Sequence, residues 1–239
     1  MLALVAGLLP ACGSSGPQRG GMAYIPAGEF AMGSAADDQR VYDWEKPHEQ
    51  PQHPVVLKAF FMDVREVTNA EYEAFDRTHR RNERFSSCDT CPVTEVSWFD
   101  AKRYCEQQRP QKRLPTEAEW EKAAKGGSTH DPEPLEEYAW FAKNTIEHAQ
   151  PVGQKRPNGY GLHDVLGNVR EWTADWYGPD YYAERVRENP TGPADGGRKV
   201  ERGGAFFLPA RGVTTTIRYN HPPHFKLYFL GFRCAADVR

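Results

Sequence analysis

Apolar residues recur three or four positions apart in three short segments of the chain, and each segment follows a hydroxyl residue. The hydroxyl residues are Thr68, Ser97 and Thr116, and each has an acidic residue three positions further on. In this capping box the hydroxyl accepts a hydrogen bond from the first helical turn, and the acid accepts one from the cap residue. The pattern predicts three short amphipathic helices with one face in the core. Glu117 and Trp120 are residue types common in active sites, but their place in the third helix predicts a scaffold role.

Short β-prone runs lie around these helices and are separated by turn signals such as Pro157-Asn158-Gly159. The predicted strands are Ala23–Ile25, Val55–Leu57, Phe60–Met62 and Arg198–Arg202. Strands and helices do not alternate regularly along the chain, which argues against a doubly wound parallel sheet. The sequence therefore predicts a single irregular, loop-rich α+β domain with short helices and short antiparallel strands.

The composition supports a loop-rich domain, because 21 Gly and 19 Pro interrupt the 239 residues. Six Trp, 11 Tyr and 12 Phe supply large aromatic side chains for a core between the loops. The 30 basic and 33 acidic residues give a net charge of −3. Nucleic-acid binding proteins usually carry a clear basic excess, so we expect no nucleic-acid partner.

The first residues resemble a targeting segment. Leu2–Leu9 is an apolar run too short to cross a bilayer, which needs about 20 residues. Cys12 follows it, and a stretch rich in Ser and Gly comes next, as in a bacterial lipoprotein signal. We expect residues 1–12 to be the signal with Cys12 acylated, residues 13–20 a flexible tether, and residues 21–239 the folded domain. The protein is then lipid-anchored to a bacterial membrane outside the cytoplasm, whereas the alternative is an ordinary secretory signal with an incidental cysteine.

Four further cysteines favour disulfides, because an extracytoplasmic compartment is oxidising. Cys88 and Cys91 have the spacing of a redox motif or of half a zinc site. No second close pair and no nearby histidine completes four zinc ligands, so zinc is disfavoured. The sequence favours a loop disulfide between Cys88 and Cys91 over a redox motif, since Pro92 and a strand-like run follow instead of a helix.

Several further segments match one family in order and spacing. They are Met22–Phe30 with Met32-Gly33, Glu66–Tyr72, Pro92-Val93 with Val96–Trp98, Arg113–Glu121, Gly161–Asp164, Gly167–Trp172, Arg202–Gly204 and Gly231–Ala235. Together they resemble the formylglycine-generating enzyme, or sulfatase-modifying factor, family over nearly all of the chain after the signal. The resemblance implies a C-type-lectin-like variant fold, which agrees with the loop-rich α+β prediction.

The resemblance also implies a catalytic site that this sequence lacks. In the family, two cysteines five residues apart follow the Arg-Gly-Gly segment, bind copper and activate oxygen to oxidise a cysteine of a client sulfatase. Residues 204–233 contain no cysteine, and an ungapped comparison places Val213 and Arg218 at the two positions. Valine is no ligand, and arginine carries a fixed positive charge, so we expect no copper and no formylglycine-generating activity.

Two functions remain open at this stage. The first is a module that binds a protein or a glycan through the former substrate groove. Candidate residues of that groove are Phe206, Phe207, Arg211, Val213, Arg218 and Tyr219. The second is a metal- and oxygen-dependent oxidoreductase with a relocated site, for which His221 and His224 are the best candidates. The simpler interpretation of these histidines is a pair of surface residues beside a rigid Pro-Pro turn.

The resemblance further implies a structural calcium ion and a second disulfide. The calcium ligands are the carboxylates of Asp164 and Glu171 and the backbone oxygens of Gly167 and Val169. The alternative is a purely structural turn in which Glu171 pairs with an arginine. The family pairing joins Cys105 to Cys234, a long loop closure that the loop-entropy model values at about 4–5 kcal/mol.

Overall fold

The structure is a computed structural model that describes residues 19–40, 46–145 and 147–238. The predicted signal, Cys12 and most of the predicted tether lie outside the described residues. Within the described ranges, no helix is long and apolar enough to cross a membrane.

Short strands form three separate sheets within the described residues. The strands are β1 (Met22–Ile25), β2 (Gly28–Met32), β3 (His53–Leu57), β4 (Phe60–Asp63), β5 (Arg170–Trp176), β6 (Lys199–Arg202), β7 (Tyr219–His221), β8 (Leu230–Gly231) and β9 (Ala235–Asp237). The sheets have the orders β1-β4-β9, β2-β3 and β7-β6-β5-β8. Every pair is antiparallel except β5 with β8, which is parallel and departs from the antiparallel prediction. The four predicted strands are present within one or two residues of their predicted bounds.

The helices are short, and three of them begin where the capping boxes place them. They are α1 (Lys46–Glu49), α2 (Asn69–Phe75), α3 (Trp98–Gln107) and α4 (Glu117–Lys125), with single 3₁₀ turns at Leu135–Glu137, Tyr181–Glu184 and Ala210–Gly212. Thr68, Ser97 and Thr116 each form both hydrogen bonds of a capping box, which confirms the three predicted starts. With seven residues, α2 makes two turns and is shorter than α3 and α4.

Large aromatic residues fill the interior between the sheets. The side chains of Trp120 in α4 and Trp172 in β5 are fully buried. Tyr104 in α3 packs against Phe232, with ring centroids 5.3 Å apart. Helix α4 contacts β2, β3, β5 and β6, so its start lies deep in the molecule and positions the charged residues described next. The predicted α+β class is confirmed.

Both predicted disulfides are present. Cys105 in α3 is bonded to Cys234, which precedes β9, across 129 positions of sequence. Cys88 is bonded to Cys91 within one loop. The long-range disulfide joins two residues that are both fully buried.

Candidate functional site

A sharp glycine turn directs the segment after β6 into the interior. Gly203 and Gly204 both have positive φ, of 96° and 80°. A Cβ atom on Gly204 would lie 2.4 Å from the carbonyl oxygen of Gly212, so only glycine fits there. The segment then makes the 3₁₀ turn Ala210–Gly212 and returns as β7, which leaves Val213 buried in the core.

No thiol is available on this segment. All residues from 204 to 233 are described, and none is a cysteine. The four cysteines of the described ranges form the two disulfides and are not free thiols. The residues present therefore do not fit a copper ion held by a pair of thiolates, because Cu(I) needs soft sulfur ligands.

Arg218 lies in the interior and does not face a groove, which corrects the sequence-based assignment. The exposed fraction of its side chain is 0%. Its Nε and Nη2 donate to Oε1 and Oε2 of Glu117 at 2.6 and 2.9 Å. Its Nη1 donates to the backbone oxygen of His48 at 2.8 Å. A buried arginine is stable only when its donors are paired, and this bidentate geometry pairs them.

Arg202 belongs to the same cluster, which we call the Glu117 network and define as Glu117, Glu121, Tyr182, Arg202 and Arg218. Arg202 donates to Glu121 Oε2 at 2.6 Å and to Glu117 Oε1 at 3.2 Å. Tyr182 lies with its hydroxyl 3.3 Å from Glu121, and burial raises the pKa of this tyrosine well above its usual range. The network contains two carboxylates and two guanidinium groups, so its charges balance.

Glu121 also forms an ion pair with Lys125, which lies outside the Glu117 network. Lys125 lies one helical turn further along α4, with its Nζ 2.8 Å from Glu121 Oε1. Burial by itself raises the pKa of Glu121, but the positive charges of Lys125 and Arg202 more than offset that effect and leave the pKa below its usual value. Glu121 is therefore held as a carboxylate.

The six predicted groove residues do not line one groove, which is a second correction. Phe206, Val213 and Arg218 are buried, whereas Arg211 is exposed. A cavity of about 280 Å³ is lined by Phe206 and Phe207 together with Phe85 and Tyr228. Arg211 and Val213 line a separate cavity of about 230 Å³. Tyr219 lies in β7 and donates its hydroxyl to Gly212.

A larger cavity than these two lies elsewhere and was missed by sequence reasoning. It has a volume of about 690 Å³, and its walls come from β2, α4 and the loops around them. Phe30, Tyr160 and Lys125 line it, and the buried hydroxyl of Ser34 on its wall has no hydrogen-bond partner among the described residues. Arg40 also lines it and is paired with Asp38 and Asp131. No sequence pattern marks this site, because its residues come from segments far apart in the chain.

His221 is oriented by a buried acid that sequence reasoning also missed. Its Nδ1 lies 2.6 Å from Oε1 of Glu201, a β6 residue that is fully buried. The guanidinium of Arg170 lies 3.4 Å from the same carboxylate. His224 is exposed and packs against Phe225. Among the described residues no three His, Cys, Asp or Glu side chains are grouped so that they could hold a metal ion.

The predicted calcium turn has the tight geometry that its sequence implies. Asp164, Gly167 and Asn168 all adopt positive φ, between 51° and 77°. Oδ2 of Asp164 accepts from the backbone N–H of Gly153 at 2.6 Å, and Oδ1 is buried without a partner among the described residues. An unpartnered buried carboxylate oxygen is a suitable ligand atom for a hard cation.

Glu171, the other predicted calcium ligand, is paired with an arginine. Arg233 donates to both carboxylate oxygens at 2.7 to 3.0 Å, and Trp120 donates its indole N–H at 2.8 Å. A calcium ion at this turn therefore has to share Glu171 with a guanidinium group. The arrangement is also that of the structural turn in the alternative interpretation, and the calcium ion stays a prediction.

Glu66 completes this second buried cluster, which we call the Glu171 network and define as Glu66, Asp164, Glu171 and Arg233. Glu66 is fully buried and accepts from the side-chain amide of Asn168 at 2.8 Å. Burial, followed by the charges of Asp164 and Glu171, raises the pKa of Glu66 well above its usual value. Three carboxyl groups surround one guanidinium group, so the Glu171 network is electrically balanced only when it binds protons or a cation.

Comparisons with known proteins agree with this architecture. The family described as the sulfatase-modifying factor enzyme 1-like domain matches residues 12–238. The formylglycine-generating enzyme of Streptomyces coelicolor is 31% identical over 292 aligned positions, which cover 91% of this chain and 90% of that protein. The inactive C-alpha-formylglycine-generating enzyme 2 of Mus musculus is 28% identical, over 91% of this chain and 86% of its own length.

A solved structure shows the same fold. PvdO from Pseudomonas aeruginosa superposes with a TM-score of 0.82 at 25% identity, covering 91% of this chain and 94% of that one. This likeness confirms the predicted C-type-lectin-like variant of the α+β class.

Proposed function

Because this chain belongs to the family of sulfatase-modifying factor enzyme 1-like domains, we propose that it keeps the family fold without the copper-dependent oxidation of sulfatase cysteines. In this proposal the protein is an extracytoplasmic, lipid-anchored module that binds a protein or a glycan. Cys12 and the short segment after it hold the domain to the membrane.

The observation that carries the proposal is that no cysteine of the described ranges is available as a thiolate. Copper-dependent oxidation needs two thiolates near each other, and the segment between residues 204 and 233 supplies none. The remaining four cysteines of the described ranges are engaged in disulfides. The fully buried Arg218 has no ligand atom for a copper ion, because all its nitrogen atoms are donors, and it is bonded to Glu117.

The cavity beside β2 and α4 supports the binding function. Its volume of about 690 Å³ lies within the range of known ligand sites, which is roughly 300–1,000 Å³. Phe30 and Tyr160 give it aromatic surface, while Ser34 and Lys125 give it polar groups. Aromatic rings beside hydrogen-bonding groups suit a peptide segment or a sugar ring, so we place the ligand here and not at the groove that the sequence suggested.

The test of lost catalysis is a copper and oxygen assay on the purified domain. We expect no binding of Cu(I) in competition with a chromogenic chelator. We also expect no oxygen consumption with a cysteine-containing sulfatase peptide. The formylglycine-generating enzyme of Streptomyces coelicolor is the positive control. Peptide-dependent oxygen consumption by this protein would overturn the proposal.

One observation favours the second candidate, a metal- and oxygen-dependent oxidoreductase with a relocated site. Glu201 engages Nδ1 of His221, which leaves Nε2 as the ring nitrogen for a metal, the arrangement common among histidine ligands. Metal analysis separates the two functions. Stoichiometric iron or copper that is lost in His221→Ala, but not in His148→Ala, would support the oxidoreductase and contradict the binding module.

A further inference from the structure

The two disulfides lie in different surroundings. Cys105 and Cys234 are both fully buried, and their bond closes a loop of 129 positions. Cys88 and Cys91 are only three positions apart, and Cys88 is half-buried while Cys91 is 4% exposed. Cys88 is therefore the more accessible residue of the short disulfide, whereas both residues of the long one are closed to a thiolate from solution.

We propose that the Cys88–Cys91 disulfide is a site of thiol–disulfide exchange that is reduced by a dithiol, and that the sulfur of Cys88 is the atom attacked. Exchange requires access to the disulfide along the direction of its bond, and access is what distinguishes Cys88 from Cys91. The proposal does not depend on the proposed binding function or on metal binding.

The loop that carries this disulfide is held in place by other bonds. The side-chain amide of Asn69 donates to the carbonyl oxygens of Ser86 and Cys88 at 2.8 and 2.9 Å. The backbone N–H of Asn69 donates to Cys91 at 2.9 Å. The hydroxyl of Ser86 donates to the carbonyl oxygen of Pro92 at 2.6 Å. These contacts keep both cysteines near each other after the sulfur–sulfur bond opens, so reduction is local and reversible.

The two sulfurs also have different neighbours. The hydroxyl of Thr90 lies 3.6 Å from Sγ of Cys88, where it can donate to a thiolate. Arg81 binds the same loop through the carbonyl oxygen of Ser87 and the carboxylate of Asp89. Sγ of Cys91 instead lies 3.9 Å from the carbonyl oxygen of Ala149, an acceptor that suits a protonated thiol. After the bond opens, Cys88 is the reactive thiolate and Cys91 the protonated thiol.

Reduction of the Cys88–Cys91 disulfide by the dithiol takes place in two steps. A thiolate of the dithiol attacks Sγ of Cys88, and the Cys88–Cys91 bond breaks with its electron pair on Cys91, which takes up a proton. The second thiol of the reagent, as a thiolate, then attacks the reagent sulfur of the mixed disulfide and releases Cys88. Two electrons pass from the dithiol to the protein, and the reagent leaves as a disulfide.

The first experiment is a dithiothreitol titration of the folded protein, followed by alkylation and peptide mass spectrometry. We expect Cys88 and Cys91 to be alkylated as a pair at a concentration about 100-fold below that which opens Cys105–Cys234. The long disulfide is the internal control, and the circular dichroism spectrum should not change at the first step. Opening of both disulfides together, or unfolding at the first step, would overturn the proposal.

The second experiment identifies the attacked sulfur with two matched variants. Cys91→Ser leaves Cys88 as a free thiol, and Cys88→Ser leaves Cys91. With oxidised glutathione as the probe, we expect Cys91→Ser to form the mixed disulfide at least about ten times faster. Equal rates, or a faster reaction of Cys88→Ser, would show that Cys88 is not the exchanging sulfur and would refute that assignment.

Discussion

The interior contains two buried clusters of charge that are built differently. The Glu117 network sets two carboxylates against two guanidinium groups, and its charges balance. The Glu171 network sets three carboxylates against the single guanidinium of Arg233. Both are almost fully removed from water, so the difference between them is in charge and not in exposure.

This difference separates a scaffold from a site. Ions inside a protein are tolerated when each charge has a partner, and the Glu117 network meets that condition with its own residues. The Glu171 network meets it only by binding protons or a cation. We infer that the first cluster fixes the fold, while the second makes the stability of the fold depend on solution conditions.

The strongest test of the comparison is Arg202→Met, which removes a guanidinium group from the balanced network while keeping an apolar side chain of similar length. Glu121 then loses its closest partner in the interior. We expect the free energy of unfolding to fall by about 3 kcal/mol, because both buried carboxylates lose a charged donor, while Glu121 keeps Lys125 and Glu117 keeps Arg218. Urea denaturation measures this, and adding Glu121→Gln should recover part of the loss. A loss below about 1 kcal/mol would contradict the scaffold role.

Calcium addition tests the unbalanced network. We expect calcium to raise the melting temperature of the chelator-treated protein. The expected gain in the free energy of unfolding is about 2.7 kcal/mol when the calcium concentration is 100 times its dissociation constant. Asp164→Asn should abolish the rise, because Oδ1 of Asp164 is the carboxylate oxygen without a partner. Magnesium serves as the control cation. A melting temperature indifferent to calcium would mean that protons alone balance the Glu171 network.

The pH dependence of stability should have opposite signs in the two networks. Burial raises the pKa of Glu66, so in calcium-free buffer we expect stability to fall as pH rises from about 4.3, the unfolded value, through the raised folded pKa. The pKa of Glu121 is lowered, so its contribution is present above about 4.3 and is lost as pH falls.

Each group contributes at most about 1.4 kcal/mol per pH unit to the slope. Glu66→Gln should reduce the fall toward neutral pH, to which the raised pKa values of Asp164 and Asp175 also contribute. Glu121→Gln should reduce the loss of stability at acid pH. Urea denaturation at a series of pH values measures both slopes. Slopes of the same sign in the two variants would contradict the comparison.

The smallest change in the free energy of unfolding is expected at an exposed ion pair, which serves as a reference for the buried pairs. Arg187 and Glu29 are bonded at 2.7 Å, but their side chains are 61% and 51% exposed. Arg187→Met should lower the free energy of unfolding by less than about 1 kcal/mol, because water and salt screen the pair. An effect as large as that of Arg202→Met would show that burial is not what distinguishes the networks.

Local features of the fold were predictable from the sequence. The three capping boxes depend on residues only three positions apart, and all three are present at Thr68, Ser97 and Thr116. The scaffold role of Trp120 is consistent with its full burial. Strands were predicted where β-prone residues were clustered, but β2, β5, β7, β8 and β9 were not predicted. Strand β2 contains Gly28 and Glu29, which are uncommon in strands.

The interior charge clusters were not predictable in the same way. Glu117 and Arg218 are bonded across 101 positions of sequence, and Glu171 and Arg233 across 62. Spacing along the chain carries no information about partners at such distances. The predicted groove was wrong at Arg218 for the same reason, because its burial depends on Glu117, a partner far away in the sequence.

The order of strands in the sheet β1-β4-β9 leaves one strand edge unpaired while the protein is being synthesised. Strand β9 pairs with β4, so that Phe60 lies opposite Asp237. When β4 leaves the ribosome, its edge has no partner until more than 170 further residues have been synthesised. A free edge that includes Phe61 and Met62 is a surface on which nascent chains can associate. Protection by a chaperone during synthesis is therefore most needed early in the chain, long before the last strand arrives.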